Sequence, residues 1–226
     1  MLTKRVKQLY QSFDKSKTYP LAEAVALVKK NATAKFDETV EVHMRLGIDP
    51  KKGEQQVRGV VVLPNSFGKA KIVAAFVPRD RAKDAKEAGA DLVYTDDDIE
   101  GLKKTGKIEF EIAVSMPEMM KTLSPLARIL GPRGLMPSPK NETITTNLAK
   151  TISELKKGKV AYKNDDTANL HQAVGKAGNT EEQLIANLST FIEAVKKSKP
   201  ETSKGIFIKS ITLCSTMGPA IKTQIQ

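Results

Sequence analysis

A chain of 226 residues with 40% hydrophobic and 28% charged side chains has the make-up of a folded protein, large enough to bury a core as one large domain or two modest ones. Its 37 Lys and Arg against 26 Asp and Glu leave a net charge of +11, the balance of a protein that meets a polyanion, most often nucleic acid. A single cysteine, Cys214, excludes an internal disulfide framework and any zinc site built on several thiolates.

The N-terminal stretch MLTKRVKQLYQSFDKSK has no apolar h-region, and no apolar run is long enough to span a bilayer, so the expected location is soluble and cytoplasmic. Pro20 to Lys30 repeats Leu21, Ala24, Val25 and Val28 at helical spacing, with Pro20 in the first turn. TVEVHMRLGI then alternates, with Val40, Val42, Met44, Leu46 and Ile48 on one face and Thr39, Glu41, His43 and Arg45 on the other. That pattern predicts a strand with one buried and one polar side. DPKKGEQ turns the chain into a further strand, VRGVVVLP.

The middle reads differently. KIVAAFVP, RDRAKDAKEAGA, DLVYT, DDDIEGLKKTG and FEIAVS follow as strand, helix, strand, helix, strand. Near-continuous apolar strands between helices predict a parallel sheet covered on both faces. A helix with Leu148, Ile152 and Leu155 on one side ends at Gly158, a suitable C-terminal cap. Thereafter VAYKN and the stretch from Ala168 to Val174 read as short strands. A helix opens with the capping pair Thr180 and Gln183 and buries Leu184, Leu188, Phe191 and Val195, and GIFIKSITLCSTMG is a long closing strand.

The simplest architecture is therefore α/β and α+β in two domains. Residues 1–66 and 159–226 form an outer α+β domain from both chain ends, and residues 67–158 form an inserted α/β domain; one mixed sheet is the alternative.

Charge is segregated within the middle. Residues 79–118 carry seven basic and eleven acidic side chains, whereas residues 119–163 carry nine basic and two acidic. The basic window contains ARILGPRGLMPSPK, residues 127–140, with two glycines, three prolines and no acid. Pro132, Pro137 and Pro139 limit the loop's freedom before any ligand arrives, and the missing carboxylates remove repulsion from phosphates. Leu130 and Leu135 are expected to anchor its base.

Enzyme chemistry has little to stand on. No Walker A pattern, no G-x-G-x-x-G after a strand and no G-x-S-x-G elbow occurs. His43 and His171 are the only histidines, too few for a His-rich metal site, and His43 on a polar strand face reads as solvated or RNA-facing. Asp96, Asp97 and Asp98 open a helix, where acids satisfy free N–H groups and the helix dipole. Cys214 lies in an apolar strand pattern and reads as a buried, inert thiol. No cofactor, metal site or catalytic residue is expected. The competing reading is an enzyme whose inserted module holds a phosphate or nucleotide at its strand ends; a general RNA chaperone or DNA-binding protein is a third.

For a nucleic-acid partner the mode can be narrowed. The chain has no Trp and 5% aromatic residues, which leaves little for single-strand stacking platforms. Folded RNA, held through phosphates, 2′-hydroxyls and selected base edges, fits better. In AKFDETVE, Lys35 can meet a phosphate, while Thr39 and Glu41 share the polar strand face. A carboxylate accepts from a 2′-OH or guanine N–H, which gives discrimination where lysine gives attraction. In STMGPA, Thr216 supplies a neutral donor and acceptor beside Met217, and Gly218 permits close backbone approach. On its own, Glu41 reads better as a solvated strand residue, Thr216 and Gly218 also read as a strand terminus with Pro219 breaking the ladder, and Met217 reads as core.

AKFDETVEVHMRLGIDPKKGEQQVRG, GKAKIVAAF, AGAD, ARILGPRGLMPSPK, VGKAG and STMGPA follow one another in this order. Together they make nearly the whole chain resemble the ribosomal protein L-one family, of the bacterial type. The family commonly has Gly where this chain has Ala127 and Asn where it has Ser138. The resemblance implies a split outer α+β sandwich with an inserted three-layer α/β/α domain. It implies a cytoplasmic, structural constituent of the large ribosomal subunit, a monomer when free and unattached to membrane. The implied partners are large-subunit ribosomal RNA at the mobile stalk, exit-site tRNA, whose release it assists, and the mRNA of its own operon, whose translation it represses. Carried over by position, the RNA-binding residues are Lys35, Phe36, Thr39, Glu41, Thr216, Met217 and Gly218. Arg128, Gly131, Arg133 and Lys140 form an auxiliary RNA surface.

Overall fold

The computed structural model describes residues 4–68 and 71–224. In chain order the elements are α1 (Lys4–Gln11), α2 (Leu21–Asn31), β1 (Thr39–Leu46), β2 (Arg58–Val62), β3 (Val73–Phe76), α3 (Ala82–Glu87), β4 (Leu92–Tyr94), α4 (Asp96–Thr105) and β5 (Ile112–Ser115). They continue as α5 (Met120–Leu123), α6 (Ala127–Leu130), α7 (Leu148–Lys156), β6 (Lys159–Lys163), β7 (Asn169–Lys176), α8 (Glu181–Lys197), β8 (Ile208–Ser215) and β9 (Ile221–Thr223). The fold is mixed α/β and divides into two compact units, Met1–Gly68 with Val160–Gln226, and Lys69–Lys159.

In the first unit a four-stranded sheet runs β7-β1-β8-β9. The alternation of β1 decides its place there. Val40, Val42, Met44 and Leu46 are all buried, so the strand offers one continuous apolar row while both backbone edges remain free to pair. The edges are taken by antiparallel β7 and β8, both from the C-terminal half of the chain. Helices α2 and α8 cover the apolar side. Helix α8 opens with Thr180 and Gln183 in a reciprocal capping box and buries Leu184, Leu188, Phe191 and Val195 completely, as its spacing predicts. A two-stranded sheet pairs β2 with β6, and the Tyr162 ring of β6 meets Phe191 edge-on at 5.5 Å. Ile48, predicted on the buried row, lies beyond the end of β1 and is only partly covered.

In the second unit β4-β3-β5 form a parallel sheet. Its central strand β3 is buried along its whole length, the reason its sequence is continuously apolar rather than alternating. Helix α4 begins at a capping box in which the Thr95 backbone N–H donates to Asp98 Oδ2 at 2.9 Å. All three acids of the triplet lie in its first turn, and Asp97 pairs with Arg79. Helix α3 packs with α7, and α4 with α5.

Two elements carry no signal that the sequence reading used. Helix α1 is polar and short, and β9 follows Pro219. Strand β8 stops at Ser215, short of the strand expected through Gly218. After a turn closed by Gly218 N–H to the Ser215 carbonyl, Ile221–Thr223 returns to pair with Ile211–Leu213. The strand at Asn169–Lys176, read as a short one, is eight residues long because β1 gives it a full-length partner.

Candidate nucleic-acid interface

The residues singled out at opposite ends of the chain meet at the end of the β1–β8 ladder. Val40 faces Ser215 and Glu41 faces Cys214. One residue further on, Thr216 N–H donates to the Thr39 carbonyl at 3.0 Å, and Thr39 N–H donates to Thr216 Oγ1 at 2.9 Å. The Thr216 hydroxyl turns back to the Thr39 carbonyl at 3.3 Å, and Lys176 Nζ donates to Thr39 Oγ1 at 2.7 Å. Both threonine hydroxyls are thus already engaged within the protein. Each keeps unused acceptor capacity, because a hydroxyl oxygen has two lone pairs.

What holds the site together is a residue the sequence reading passed over. Glu38 is 1% exposed, and its carboxylate accepts from Ser215 Oγ at 2.7 Å, Met217 N at 2.9 Å and Ala34 N at 2.8 Å. The Arg5 guanidinium approaches it at 4.0 Å, donates to the Met217 carbonyl at 3.3 Å and reaches Thr33 Oγ1 at 3.2 Å. Burial by itself pushes the Glu38 carboxyl up, but the hydrogen bonds from Ser215, Met217 and Ala34, with the Arg5 charge, outweigh it and hold the group below its ordinary value. One buried anion therefore ties the loop before β1 to the turn after β8. A signal for it existed. Glu38 has the same parity as Val40, Val42 and Met44, so extending the alternation back by one step points a carboxylate inward, where it needs donors.

Around this joint the surface is exposed and partly apolar. Lys35 is exposed, and Phe36 and Met217 are 55% and 52% exposed. Asp37 faces the loop after β7, where its carboxylate accepts from Gly178 N at 3.0 Å. A Cβ on Gly218 would collide with Ser215 Oγ, the hydroxyl that Glu38 uses. Glycine is required there by close approach, in this case to the protein's own scaffold.

Glu41 stands apart from this joint, on the outward face of the sheet. Its carboxylate lies 3.8 Å from His43 Nε2, which is 3.0 Å from Cys214 Sγ. His43 Nδ1 lies 2.7 Å from His171 Nδ1 across the β1–β7 pair. Burial pushes the His43 imidazole down and His171 adds to the effect, against Glu41; burial, then the Glu41 charge, pushes the Cys214 thiol up. Cys214 is only partly buried, which corrects its expectation as a core thiol. The apolar pattern of β8 breaks at this position because Thr212 and Cys214 share the outward side.

The second group lies in the other unit. ARIL, read as the start of a loop, forms the helical turn α6. The turn closes when Gly131 N–H donates to Ala127 O at 2.9 Å and Leu135 N–H to Leu130 O at 3.0 Å. Gly134 takes a φ of 69°, a left-handed value that glycine adopts without strain. Leu130 is buried in the core of this unit, and Leu135 and Met136 pack on it. The far end is tied back by Ser138 N–H to Thr143 Oγ1 at 2.8 Å and by a parallel bridge from Ser115 to Ile144. Arg128, Gly131, Arg133 and Lys140 are all exposed. The two acids of the basic window, Glu142 and Glu154, both bind Lys159 Nζ, at 2.6 and 2.8 Å. Among the described residues, no ion pair engages Arg128, Arg133 or Lys140.

The fold and this surface define an α/β protein whose exposed chemistry consists of cations, hydroxyls and two apolar side chains around a rigid joint. Residues 28–219 match the Ribosomal protein L1p/L10e family. The chain is also 46% identical, over 94% of its length and 91% of the relative's, to the large ribosomal subunit protein uL1 of Solibacter usitatus (strain Ellin6076). The chain belongs to the Ribosomal protein L1p/L10e family. No helix among the described residues is long and apolar enough to cross a membrane.

Proposed function

We propose that this protein is a non-enzymatic constituent of the large ribosomal subunit. In this reading it binds folded ribosomal RNA at the mobile stalk through the joint between β1 and β8. The observation that carries the proposal is the exposure of Phe36 and Met217 on two segments that one buried carboxylate locks together. Exposed apolar side chains on a rigid polar surface are costly in water, and they become useful when they meet ribose or base faces. Lys35 supplies phosphate attraction, Thr39 and Thr216 offer their remaining lone pairs, and Glu41 accepts from ribose or guanine donors. The Arg128–Lys140 loop is an auxiliary, mainly electrostatic surface. The likeness to a protein named for the large ribosomal subunit supports this reading.

The same surface, in this proposal, assists release of exit-site tRNA, and it represses the chain's own operon by binding a similar RNA fold in the messenger. A monomer suffices for all three roles. The test is a binding titration of the full chain against a stalk ribosomal RNA fragment, with bulk tRNA and duplex DNA as competitors. Retained affinity under competition, lost in a Phe36→Ala, Met217→Ala double variant, supports the proposal. Equal affinity for all three nucleic acids overturns it in favour of a general binder. A second arm joins residues 1–66 directly to 159–226; a soluble product that still binds the stalk fragment places recognition in the outer domain.

A further inference from the structure

We propose that Glu41, His43 and Cys214 form a binding site for a zinc-class divalent cation on the outward face of β1 and β8, with a fourth position left for water. One donor atom from each of the three residues lies within 4.8 Å of the others. His43 Nε2 is 3.0 Å from Cys214 Sγ and 3.8 Å from Glu41 Oε2. Tetrahedral zinc, with Zn–N of about 2.0 Å and Zn–S of about 2.3 Å, sets its nitrogen and sulfur donors about 3.5 Å apart and nitrogen and oxygen about 3.3 Å apart. These two separations differ from their targets by about 0.5 Å, a distance that side-chain torsions absorb, and the Glu41 and Cys214 donor atoms lie within 4.8 Å of each other.

The backbone supplies the pre-organisation. Glu41 and His43 are two apart on β1 and share a face, and Glu41 is directly paired with Cys214 on β8. All three donors stand on paired strands rather than on a loop. Thiolate, imidazole and carboxylate together suit zinc or cobalt and not magnesium or calcium. Three protein ligands and one solvent position describe an exchangeable site, unlike the closed four-ligand sites that hold folds together.

An independent observation orients the imidazole. His43 Nδ1 lies 2.7 Å from His171 Nδ1, and His171 Nε2 lies 3.5 Å from Asp165 Oδ2. With the His171 Nε2–H directed at Asp165, His171 Nδ1 is an acceptor and His43 donates its Nδ1–H to it. That tautomer leaves the His43 Nε2 lone pair pointing to Cys214 and Glu41. The relay from Asp165 through His171 to His43 is the outer-shell arrangement that metal-binding histidines use. When the cation binds, the metal–sulfur bond replaces the S–H bond, and the thiol proton leaves to solvent.

The inference stands apart from the RNA reading, with which it shares only Glu41, and it is tested on the RNA-free full chain. Co²⁺ titrated under a non-thiol reductant should bind one-to-one. It should give a near-ultraviolet thiolate charge-transfer band with tetrahedral visible bands, and one equivalent of Zn²⁺ should bleach both. Cys214→Ser should remove the charge-transfer band. His171→Gln, which touches no cation, should keep the band and weaken binding about 10–100-fold. Circular dichroism of each variant separates loss of the site from loss of the fold. No thiolate band at excess Co²⁺ overturns the proposal, as does a band that persists undiminished in His43→Gln, which would show binding by the thiol alone.

Discussion

The two cationic surfaces of this protein are made rigid by opposite means. At the β1–β8 joint, a carboxylate removed from water collects three donors from two distant segments, so the surface holds its shape through a buried hydrogen-bonded charge. At the Arg128–Lys140 loop, the stiffness is local. A helical turn, a left-handed glycine, three prolines and a buried leucine fix the backbone, and among the described residues no ion pair engages the charges it carries. The first surface presents donors and acceptors held in place by the buried hydrogen bonds beneath them. The second offers attraction with little geometric demand. A net charge of +11 describes both and distinguishes neither.

Removing the joint gives the largest expected effect. Glu38→Ala strands the Ser215, Met217 and Ala34 donors and should cost about 3 kcal/mol of folding stability, measured by urea denaturation. RNA affinity should fall by more than tenfold, because the two halves of the surface lose their common support. A loss below about 1 kcal/mol would mean that the backbone pairing alone holds the two segments.

Thr216→Val comes next. It should weaken binding of the stalk RNA fragment by about 1–3 kcal/mol, read by calorimetric titration. The hydroxyl also receives the Thr39 N–H, so some stability should fall with it. Thr216→Ser should restore both, and unchanged RNA affinity in the valine variant would make the hydroxyl purely structural.

The acid limb of stability is a gentler probe of the same joint. The folded Glu38 carboxyl binds its proton less readily than an ordinary glutamate at 4.5. Its contribution is therefore complete above that value and is lost as pH falls through the lowered folded value. Asp14, Asp91, Glu154 and Asp165 are shifted in the same direction, so the comparison is with Glu38→Gln. The variant should show a shallower loss of stability below the ordinary value. Identical acid limbs would remove Glu38 from the account.

Arg133→Ala carries the smallest effect. Binding should weaken slightly, and the slope of log affinity against log salt should fall by roughly one counterion. An unchanged slope would make this arginine a fold residue and would remove the proposed contrast between the two surfaces.

Much of this was legible along the chain. The row Val40, Val42, Met44, Leu46 and the row Leu184, Leu188, Phe191, Val195 announce their buried faces, because a strand or helix that packs on a core must repeat its apolar residues at its own period. The capping pair at Thr180, the acids that open α4, the acid-free window around Arg133 and the parallel strands of the second unit follow from equally local rules. Short-range physics writes itself into neighbouring residues, so one sequence suffices to read it.

Glu38, the Thr39–Thr216 exchange and the His43–His171–Cys214 cluster belong to another order of information. Apart from Ala34 and Arg5 beside Glu38, their partners lie more than 120 positions away in the chain. Although parity points Glu38 inward, nothing in the local pattern names the residues it meets. Only the antiparallel register of β1 with β7 and β8 brings them within hydrogen-bonding distance, and register is set by the whole sheet closing over one core. Composition and periodicity thus determined most of the kinds of element and the sign of the chain's own charge. Pairing across the sheet decided which charges are buried, which hydroxyls are already engaged, and where a thiol stands beside an imidazole.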